Sequence, residues 1–237
     1  MSLNIDISII IPVYNGIPYL KECINTLKRQ NHSLLNIEIL FIDDGSKDKS
    51  EDYIKSFNLK NIKIIKLESN KGPSAARNLG IKNALGQYVF FQDVDDIIEN
   101  NALEVLFLKA KYYDSNFVFS DHKRIENLKD QRKDKYDFNE EVIFNKEKII
   151  CAMKNEYDNP NTGHLGLFGC NGRLIKRSLL IEKNILFDES LKWNEDKTFA
   201  WLVLSHIEKA IYVRDKLYSF YVNPNVQTAG IVGLSTN

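Results

Sequence analysis

Three carboxylates lie within four residues at the end of a strongly apolar run. The run covers residues 88–92 (YVFFQ) and leads into Asp93, Val94, Asp95 and Asp96. Alternate residues of an extended segment point to the same side, so Asp93 and Asp95 are expected to share one side of the chain. Two carboxylates that close repel each other unless a proton or a cation neutralises one of them. Mg²⁺ and Mn²⁺ prefer oxygen ligands and are commonly held by one or two carboxylates plus substrate phosphates, so this spacing suits a metal-diphosphate clamp.

The same cluster also has a plainer interpretation. Aspartates are common in turns and at helix N-termini, where their oxygens accept hydrogen bonds from free backbone N–H groups. On this segment alone, both a metal clamp and a helix cap stay open. The choice between them depends on what the rest of the chain brings to the same place.

Apolar strand patterns alternate with amphipathic helix patterns through the first half of the chain. The predicted strands are residues 8–11, 37–42, 62–67 and 87–92, and the predicted helices are residues 19–30, 52–57 and 74–85. Continuous apolar strands separated by helices indicate a parallel sheet that is covered on both faces. The fold class is therefore α/β, with a Rossmann-like, mostly parallel sheet.

Polar side chains follow each of these four strands. Tyr14 comes after the first strand, Asp43 and Asp44 after the second, residues 68–70 after the third and the aspartate cluster after the fourth. In open α/β sheets, ligands bind beyond the carboxyl ends of the strands. All four clusters are therefore expected to line one crevice.

The second half has a looser pattern. Helices are predicted at residues 101–113 and 145–155, strands at 117–120, 210–213 and 217–222, and an exposed loop at 123–140. A further helix is predicted from Glu195, with an inward face formed by Phe199, Leu202, Val203 and His206. Trp193, just before this helix, is either a sugar-stacking platform or ordinary core. His164, in a Gly-rich segment, is a weaker candidate for an acceptor site.

Charge and composition narrow the class of partner. The chain of 237 residues carries 32 basic and 32 acidic side chains, which gives no overall field to attract a nucleic acid or an anionic membrane. No apolar run is long enough for a bilayer span and no signal peptide is evident, so a cytoplasmic location is expected. Three widely spaced cysteines argue against a disulfide framework or a structural zinc site, and all three are predicted to be buried and reduced.

Several ordered motifs carry a resemblance to a known family. They are residues 10–15 (IIPVYN), residues 42–46 (IDDGS), residues 70–80 (NKGPSAARNLG), the aspartate cluster and the pair Glu195 and Asp196. Together they resemble the family 2 glycosyltransferases with the GT-A fold, of the kind found in bacterial polysaccharide assembly. The resemblance extends over about residues 7–221.

This resemblance implies a set of nucleotide-sugar-binding residues. Tyr14 would stack on the nucleobase, and Asp44 would accept a hydrogen bond from its imide N–H, with Asp43 nearby. The other residues that the resemblance places at the nucleotide sugar are Pro12, Lys71, Arg77, Asp93 and Val94. Val94 departs from the small residue found in many relatives, and it is expected to point away from the metal.

The resemblance also implies a metal and a base. Asp95, assisted by Asp93, would ligate Mn²⁺ or Mg²⁺, which stabilises the departing nucleoside diphosphate as a Lewis acid. Asp93 would face the ribose and metal-bound water. Asp196 would be the general base for the acceptor hydroxyl, and its position at a helix start is expected to favour the charged form.

The implied function is inverting, metal-dependent transfer of a sugar from a nucleotide-sugar donor, UDP-linked by expectation. The implied acceptor is a saccharide or a lipid-linked saccharide in cell-surface polysaccharide synthesis, which would bring the protein to the inner face of the cytoplasmic membrane. We expect one GT-A domain over residues 1–237, with a nucleotide-sugar-binding half at 4–96 and an acceptor-binding half at 97–237.

Two other functions are weighed against this one. A dinucleotide-dependent oxidoreductase would need Gly-x-Gly-x-x-Gly after the first strand, and residues 12–18 (PVYNGIP) lack that motif. A catalytically weak nucleotide-binding partner of another glycosyltransferase is the remaining alternative. The presence of Asp93, Asp95 and Asp196 argues against it.

Overall fold

The structure is a computed structural model that describes residues 4–30, 33–125, 142–158 and 167–221. Most of the predicted loop at 123–140, the turn cluster at 159–163 and His164 lie outside the described residues. The strands are β1 (Ile7–Val13), β2 (Ile37–Asp43), β3 (Ile62–Lys66), β4 (Tyr88–Phe91), β5 (Ile97–Ile98), β6 (Phe117–Ile125), β7 (Val142–Asn145), β8 (Arg173–Lys176) and β9 (Lys209–Tyr221). The helices are α1 (Ile17–Lys28), α2 (Ser50–Ser56), α3 (Pro73–Asn83), α4 (Ala102–Tyr112), α5 (Lys146–Asp158), α6 (Arg177–Glu182) and α7 (Glu195–Ser205).

One sheet runs through both halves of the chain. Its strand order is β3-β2-β1-β4-β8-β6-β9-β5, and β7 pairs with β9 beside this path. The first four strands are mutually parallel, as predicted. Beyond β4 the sheet is mixed, because β8 runs antiparallel to both β4 and β6 while β9 runs parallel to β6. The parallel half brings four strand ends to one edge, and β8 begins at that same edge.

Strand β1 continues past Pro12, where the sequence prediction ended it. Proline has no N–H for a ladder bond and is normally excluded from central strands. Here Gln92 donates its N–H to the Ile10 carbonyl in the last bond on the β4 side, while Asp44 donates to Val13 on the β2 side. The missing N–H of Pro12 therefore faces the side on which β4 has already ended, so no ladder bond is lost.

The sheet has apolar side chains on both faces, and each face is covered by helices. On one face α1, α2 and α4 pack against the sheet through residues such as Leu20, Ile54 and Leu103. On the other face α3, α5, α6 and α7 contribute residues such as Ile81 and Phe199. This arrangement confirms the predicted α/β class.

The sequence prediction missed the shortest elements. Strands β5, β7 and β8 and helix α6 have between two and six residues each, too few for a period to emerge. The two predicted strands near the end are one continuous strand, β9. Its pairing with β6 shifts register around Asp121, which coincides with an exposed stretch at residues 214–216.

Two further predictions were wrong in part. Leu202 in α7 and His206, just after its end, are exposed, because the helix is apolar around much of its circumference and the period alone does not select the inward face. The residues of α7 that are buried are Phe199, Ala200, Val203 and Leu204. All three cysteines are free, but Cys151 is exposed, whereas Cys23 and Cys170 are buried.

Helix α3 lies unusually close to β1 at Gly80. A Cβ at this position would come within 2.3 Å of Ile10 Cγ2 and 3.1 Å of Ile10 Cδ1. Ile10 is fully buried and cannot move aside into solvent. Close approach of this helix is what brings Arg77 and Asn78, both buried, to the carboxyl edge of the sheet.

We expect Gly80→Ala to lower the stability of the protein. Alanine gains about 1 kcal/mol of helix propensity over glycine, but overpacking a filled core costs about 1–3 kcal/mol and the clash here involves a fully buried side chain. Urea unfolding should show a lower midpoint for Gly80→Ala, whereas Lys82→Ala, on the exposed side of the same helix, should match the wild type. An increase in the midpoint for Gly80→Ala would contradict the packing argument.

Candidate active site

The loops after β2 and β3 are joined by Asp44. Its two carboxylate oxygens accept backbone N–H groups from Lys71 at 2.7 Å and Gly72 at 2.8 Å. Gly45, with φ +70°, lies against this loop so closely that a Cβ would meet Asn70 N at 2.8 Å. Asp44 is 3% exposed, yet each carboxylate oxygen can accept more than one hydrogen bond. The carboxylate therefore orders the loop and keeps acceptor capacity on its remaining lone pairs.

Tyr14 lies at the end of β1 with 46% of its surface exposed. The next residue, Asn15, has φ 51°, donates its N–H to Ser46 Oγ at 3.0 Å and accepts the Lys47 N–H at 2.9 Å. Asp43 is buried and accepts the Ser46 N–H at 2.8 Å. These contacts hold the turn that carries Tyr14, so its ring is presented to solvent from an ordered support.

Every polar atom of Asp93 that can bond has a partner. Its Oδ1 accepts from Arg77 Nη2 at 2.8 Å, its Oδ2 accepts from Asn171 Nδ2 at 2.6 Å, and its N–H donates to Tyr218 Oη at 3.3 Å. Tyr218 in turn donates to Asp96 Oδ2 at 2.6 Å. These partners come from α3, from the residue pair before β8 and from β9, so Asp93 is a junction between the two halves of the sheet.

Asp95 differs from Asp93 in its surroundings. It is exposed, and no hydrogen bond from another described residue reaches its carboxylate. Removal of water by the surrounding protein, reinforced by the charge of Asp93, raises its pKa. Val94, between them, is half-buried and lies against Gly16 and the core of the α1 face.

This donor set fits a divalent cation that phosphates help to bind. Among the described residues, no group of three or more histidine, cysteine, aspartate and glutamate side chains is arranged to hold a metal by itself. A single exposed carboxylate with a raised pKa, beside a second carboxylate that is already hydrogen-bonded, suits an ion that takes its other ligands from a diphosphate and water. Asp95 is the carboxylate that could ligate such an ion directly.

Helix α7 presents Glu195 and Asp196 in its first turn. Glu195 Oε1 lies 3.4 Å from Arg77 Nη1, whereas Asp196 Oδ1 accepts the N–H of Lys197 at 2.8 Å. Burial raises the pKa of Asp196, and the Lys197 N–H only partly offsets this. The expectation that the helix start favours the charged form of Asp196 is wrong. Its pKa is raised, because desolvation outweighs the effect of the helix terminus. A carboxylate with a raised pKa is a stronger proton acceptor, which suits a general base.

A second buried arginine lies close to Asp196. Arg173, at the start of β8, is 1% exposed, and burial lowers its pKa to about 10. Its Nη1 donates to the Asn171 carbonyl and contacts His122 Nε2. A Cβ built on Gly169 would lie 3.8 Å from Asp196 Oδ2 and 4.0 Å from Arg173 Nη2, so both groups border that glycine. Burial and the neighbouring guanidinium hold the pKa of His122 well below its usual range, so His122 is neutral.

The structure brings together several residues that sequence reasoning did not assign to the site. Asn171, Tyr218 and His122 contact the aspartates or Arg173, but none lies in a motif with a recognisable spacing. Arg173 lies in a segment that the sequence marks only by its charge. Trp193 is 61% exposed, which excludes the core interpretation and leaves the stacking-platform interpretation open.

A membrane-spanning helix is absent from the part of the chain that the structure describes: none of its helices is both long enough and apolar enough for a crossing.

Relatives with similar sequences are bacterial glycosyltransferases. The chain is 31% identical over 235 residues to glycosyltransferase GlyA of Streptococcus pneumoniae serotype 4, with 94% of this chain and 31% of that protein covered. It is 30% identical over 237 residues to the minor teichoic acid biosynthesis protein GgaB of Bacillus subtilis, with 96% of this chain and 24% of that protein covered. The chain thus spans about a quarter to a third of the length of these two curated relatives.

Solved structures share the fold. The structure of S. aureus TarS 1-349 in complex with UDP-GlcNAc matches with a TM-score of 0.79 and 23% identity, over 96% of this chain and 62% of that chain. A mannosyltransferase from Pyrobaculum calidifontis in complex with GDP-Man and Mn²⁺ matches with a TM-score of 0.66 and 15% identity, over 94% of this chain and 59% of that chain. A family model described as glycosyl transferase family 2 matches residues 8–179. The chain therefore belongs to glycosyl transferase family 2 and has the GT-A fold that the sequence motifs predict.

Proposed function

We propose that the protein is an inverting, metal-dependent glycosyltransferase that moves a sugar from a UDP-sugar to a hydroxyl of a saccharide or lipid-linked saccharide. The observation that carries the proposal is the hydrogen-bonded path from Asp93 through Arg77 to Glu195, which sets the aspartates after β4 beside the base candidate on α7. A carboxylate for a metal-diphosphate and a carboxylate for a proton are then neighbours in one site. Family membership supports the reaction class.

The donor side of the proposal rests on three groups. Tyr14 offers an exposed ring on which a base can stack, and Asp44 has acceptor capacity for the imide N–H of uracil. Asp95 would hold Mn²⁺ or Mg²⁺, which supplies charge stabilisation to the departing diphosphate when bound. TarS has been solved with UDP and with UDP-GlcNAc, and that likeness supports a UDP-linked donor here.

The acceptor side rests on Asp196. This carboxylate takes the proton from an acceptor hydroxyl as its oxygen bonds to the anomeric carbon, and the bond from that carbon to the diphosphate oxygen breaks on the opposite face. One displacement of this kind inverts the anomeric configuration and forms no covalent sugar-protein intermediate. The burial that raises the pKa of Asp196 increases its affinity for that proton.

The names of relatives that act in teichoic acid biosynthesis support a place in the synthesis of a cell-surface polysaccharide. In that setting we propose that the protein works in the cytoplasm, at the inner face of the cytoplasmic membrane. The exposed Trp193, two residues before Glu195, is positioned to contact an acceptor sugar.

Metal-dependent nucleotide binding is the first test. Asp95→Asn should weaken UDP binding in the presence of Mn²⁺ by at least about tenfold, since a charged ligand to the ion is lost, and should leave the melting temperature near that of the wild type. Asp114→Asn is the matched control, because Asp114 is exposed and pairs only loosely with Lys176 at 3.5 Å. Calorimetry with Mn²⁺ and with a chelator measures both effects; equal UDP affinity in the two conditions would remove the metal from the proposal.

Base selectivity is the second test. Cytosine lacks the imide N–H that uracil offers, so UDP should bind more tightly than CDP, and Asp44→Ala should reduce that preference by about 1–3 kcal/mol, the cost of an unsatisfied polar group. The readout is the ratio of the two affinities, because Asp44→Ala also releases the Lys71 and Gly72 N–H groups and weakens both nucleotides alike. An unchanged ratio would show that Asp44 orders the loop without reading the base.

The third test separates chemistry from binding. Asp196→Asn should bind the donor with near wild-type affinity and transfer sugar about 10²–10⁴-fold more slowly, because the lost group acts only on the proton. In the wild type the rate should fall on the acid side at a pH above the ordinary aspartate range, since a raised pKa means that protonation begins at higher pH. Full turnover by Asp196→Asn, or an NMR spectrum of a product with retained configuration, would rule out this mechanism.

A further inference from the structure

Arg77 contacts a carboxylate on each side of the candidate site. Its guanidinium donates from Nη2 to Asp93 Oδ1 at 2.8 Å and lies with Nη1 3.4 Å from Glu195 Oε1. Asp93 lies two residues after the end of β4, whereas Glu195 begins α7, more than a hundred residues later in the chain. The guanidinium therefore spans the donor and base sides of the site.

The surroundings of Arg77 hold it in this position. The residue is 4% exposed, and its guanidinium lies 5.3 Å from the centre of the Phe187 ring. Phe187 stacks in parallel on Phe199 of α7 at 3.9 Å between ring centres. Burial opposes the charge of Arg77, but the neighbouring carboxylates of Asp93 and Glu195 favour it and the pKa of the guanidinium is raised, so it stays charged.

A guanidinium is a planar fork with fixed angles between its N–H groups, and in a buried setting its bonds to carboxylates are strong. Two carboxylates on the same guanidinium are consequently held at a fixed separation from each other. Asp93 is two residues from Asp95, and Glu195 is adjacent to Asp196. Arg77 thus links the segment that carries Asp95 to the segment that carries Asp196, and their spacing depends on this link.

We propose that Arg77 and Glu195 are a positioning pair that fixes the base-bearing start of α7 relative to the donor aspartates. The inference rests on the proposed function and assigns Glu195 a role distinct from that of its neighbour. Glu195 is engaged by Arg77, whereas the contact that Asp196 makes is to the N–H of the next residue. Asp196 is the carboxylate left to meet an acceptor proton, and Glu195 holds it in place.

Turnover of UDP-GlcNAc with Mn²⁺, followed as UDP release, tests the roles through a double-mutant cycle. We expect Glu195→Gln to stay within about threefold of the wild type, since its amide oxygen still accepts from Arg77, and Glu195→Ala to lower kcat by about 10–100-fold, the scale expected from a displacement near 1 Å. In an Arg77→Met background, the further loss from Glu195→Ala should be under about twofold, because the bridge is already broken. Glu195→Ala should leave UDP affinity unchanged.

The double-mutant cycle would give a different result if Glu195 were the catalytic base. If Glu195 accepts the proton itself, Glu195→Gln is as slow as Glu195→Ala, and the loss is as large in the Arg77→Met background as in the wild type. Either result overturns the proposal. Asn83→Ala is the matched control: Asn83 also lies on α3 and donates to the Leu79 carbonyl at 2.9 Å, but it contacts neither Asp93 nor Glu195 nor Phe187. It should leave kcat near that of the wild type.

Hydrogen exchange tests the positioning without turnover. In the ligand-free protein, amides 198–200 at the start of α7 should exchange several-fold faster in Glu195→Ala and Arg77→Met than in the wild type, while Asn83→Ala leaves them unchanged. Glu195 is only partly buried, with 18% of its side chain exposed, so Glu195→Ala remains informative even if Arg77→Met does not fold. Unchanged exchange in Glu195→Ala would overturn the proposed positioning pair.

Failure of the proposed function is distinguished from failure of the pair. A wild type that binds UDP with Mn²⁺ but turns over no nucleotide sugar contradicts the proposed function, whereas the exchange result still decides whether Arg77 and Glu195 position α7.

Discussion

Asp93 is held from three directions, through its carboxylate and its backbone N–H, and much of the site is arranged around it. Arg77 from α3, Asn171 ahead of β8 and Tyr218 from β9 each bond to this residue. Both carboxylate oxygens are engaged by side-chain N–H donors, one of them the charged guanidinium of Arg77. Asp93 therefore anchors groups from distant parts of the chain, while Asp95 remains exposed.

Close packing of α3 on the sheet is the precondition for that junction. Pro73 opens the helix, and small residues face the sheet, with Gly80 against Ile10. A larger side chain there would lift the helix and withdraw Arg77 from Asp93. Burying the guanidinium of Arg77 costs free energy, and its ion pairs with Asp93 and Glu195 offset that cost. Packing in the middle of α3 therefore affects the geometry of the candidate site.

The insertion of β8 between β4 and β6 joins the two halves of the molecule. It runs antiparallel to both neighbours, so Arg173, its first residue, and Asn171, two residues earlier, lie at the carboxyl edge where the parallel strands end. Gly172, between these two residues, has φ +70° and permits the close packing, because a Cβ there would lie 2.7 Å from the Tyr218 ring. The aspartates after β4 consequently face groups that a parallel sheet alone would not supply.

The sequence by itself determined the parallel half of the sheet and the polar clusters at its edge, because strand and helix periods and the loop motifs are local properties. It also located Asp95 and Asp196 as the carboxylates of interest. Only the tertiary structure decided which partners they meet. Asn171 and Arg173 lie in short or irregular segments, Tyr218 lies in a long strand that carries no motif, and the contacts to the aspartates join residues far apart in the chain. The direction of the Asp196 pKa was likewise decided by burial, since desolvation depends on the whole packed environment and not on the helix start that the sequence reveals.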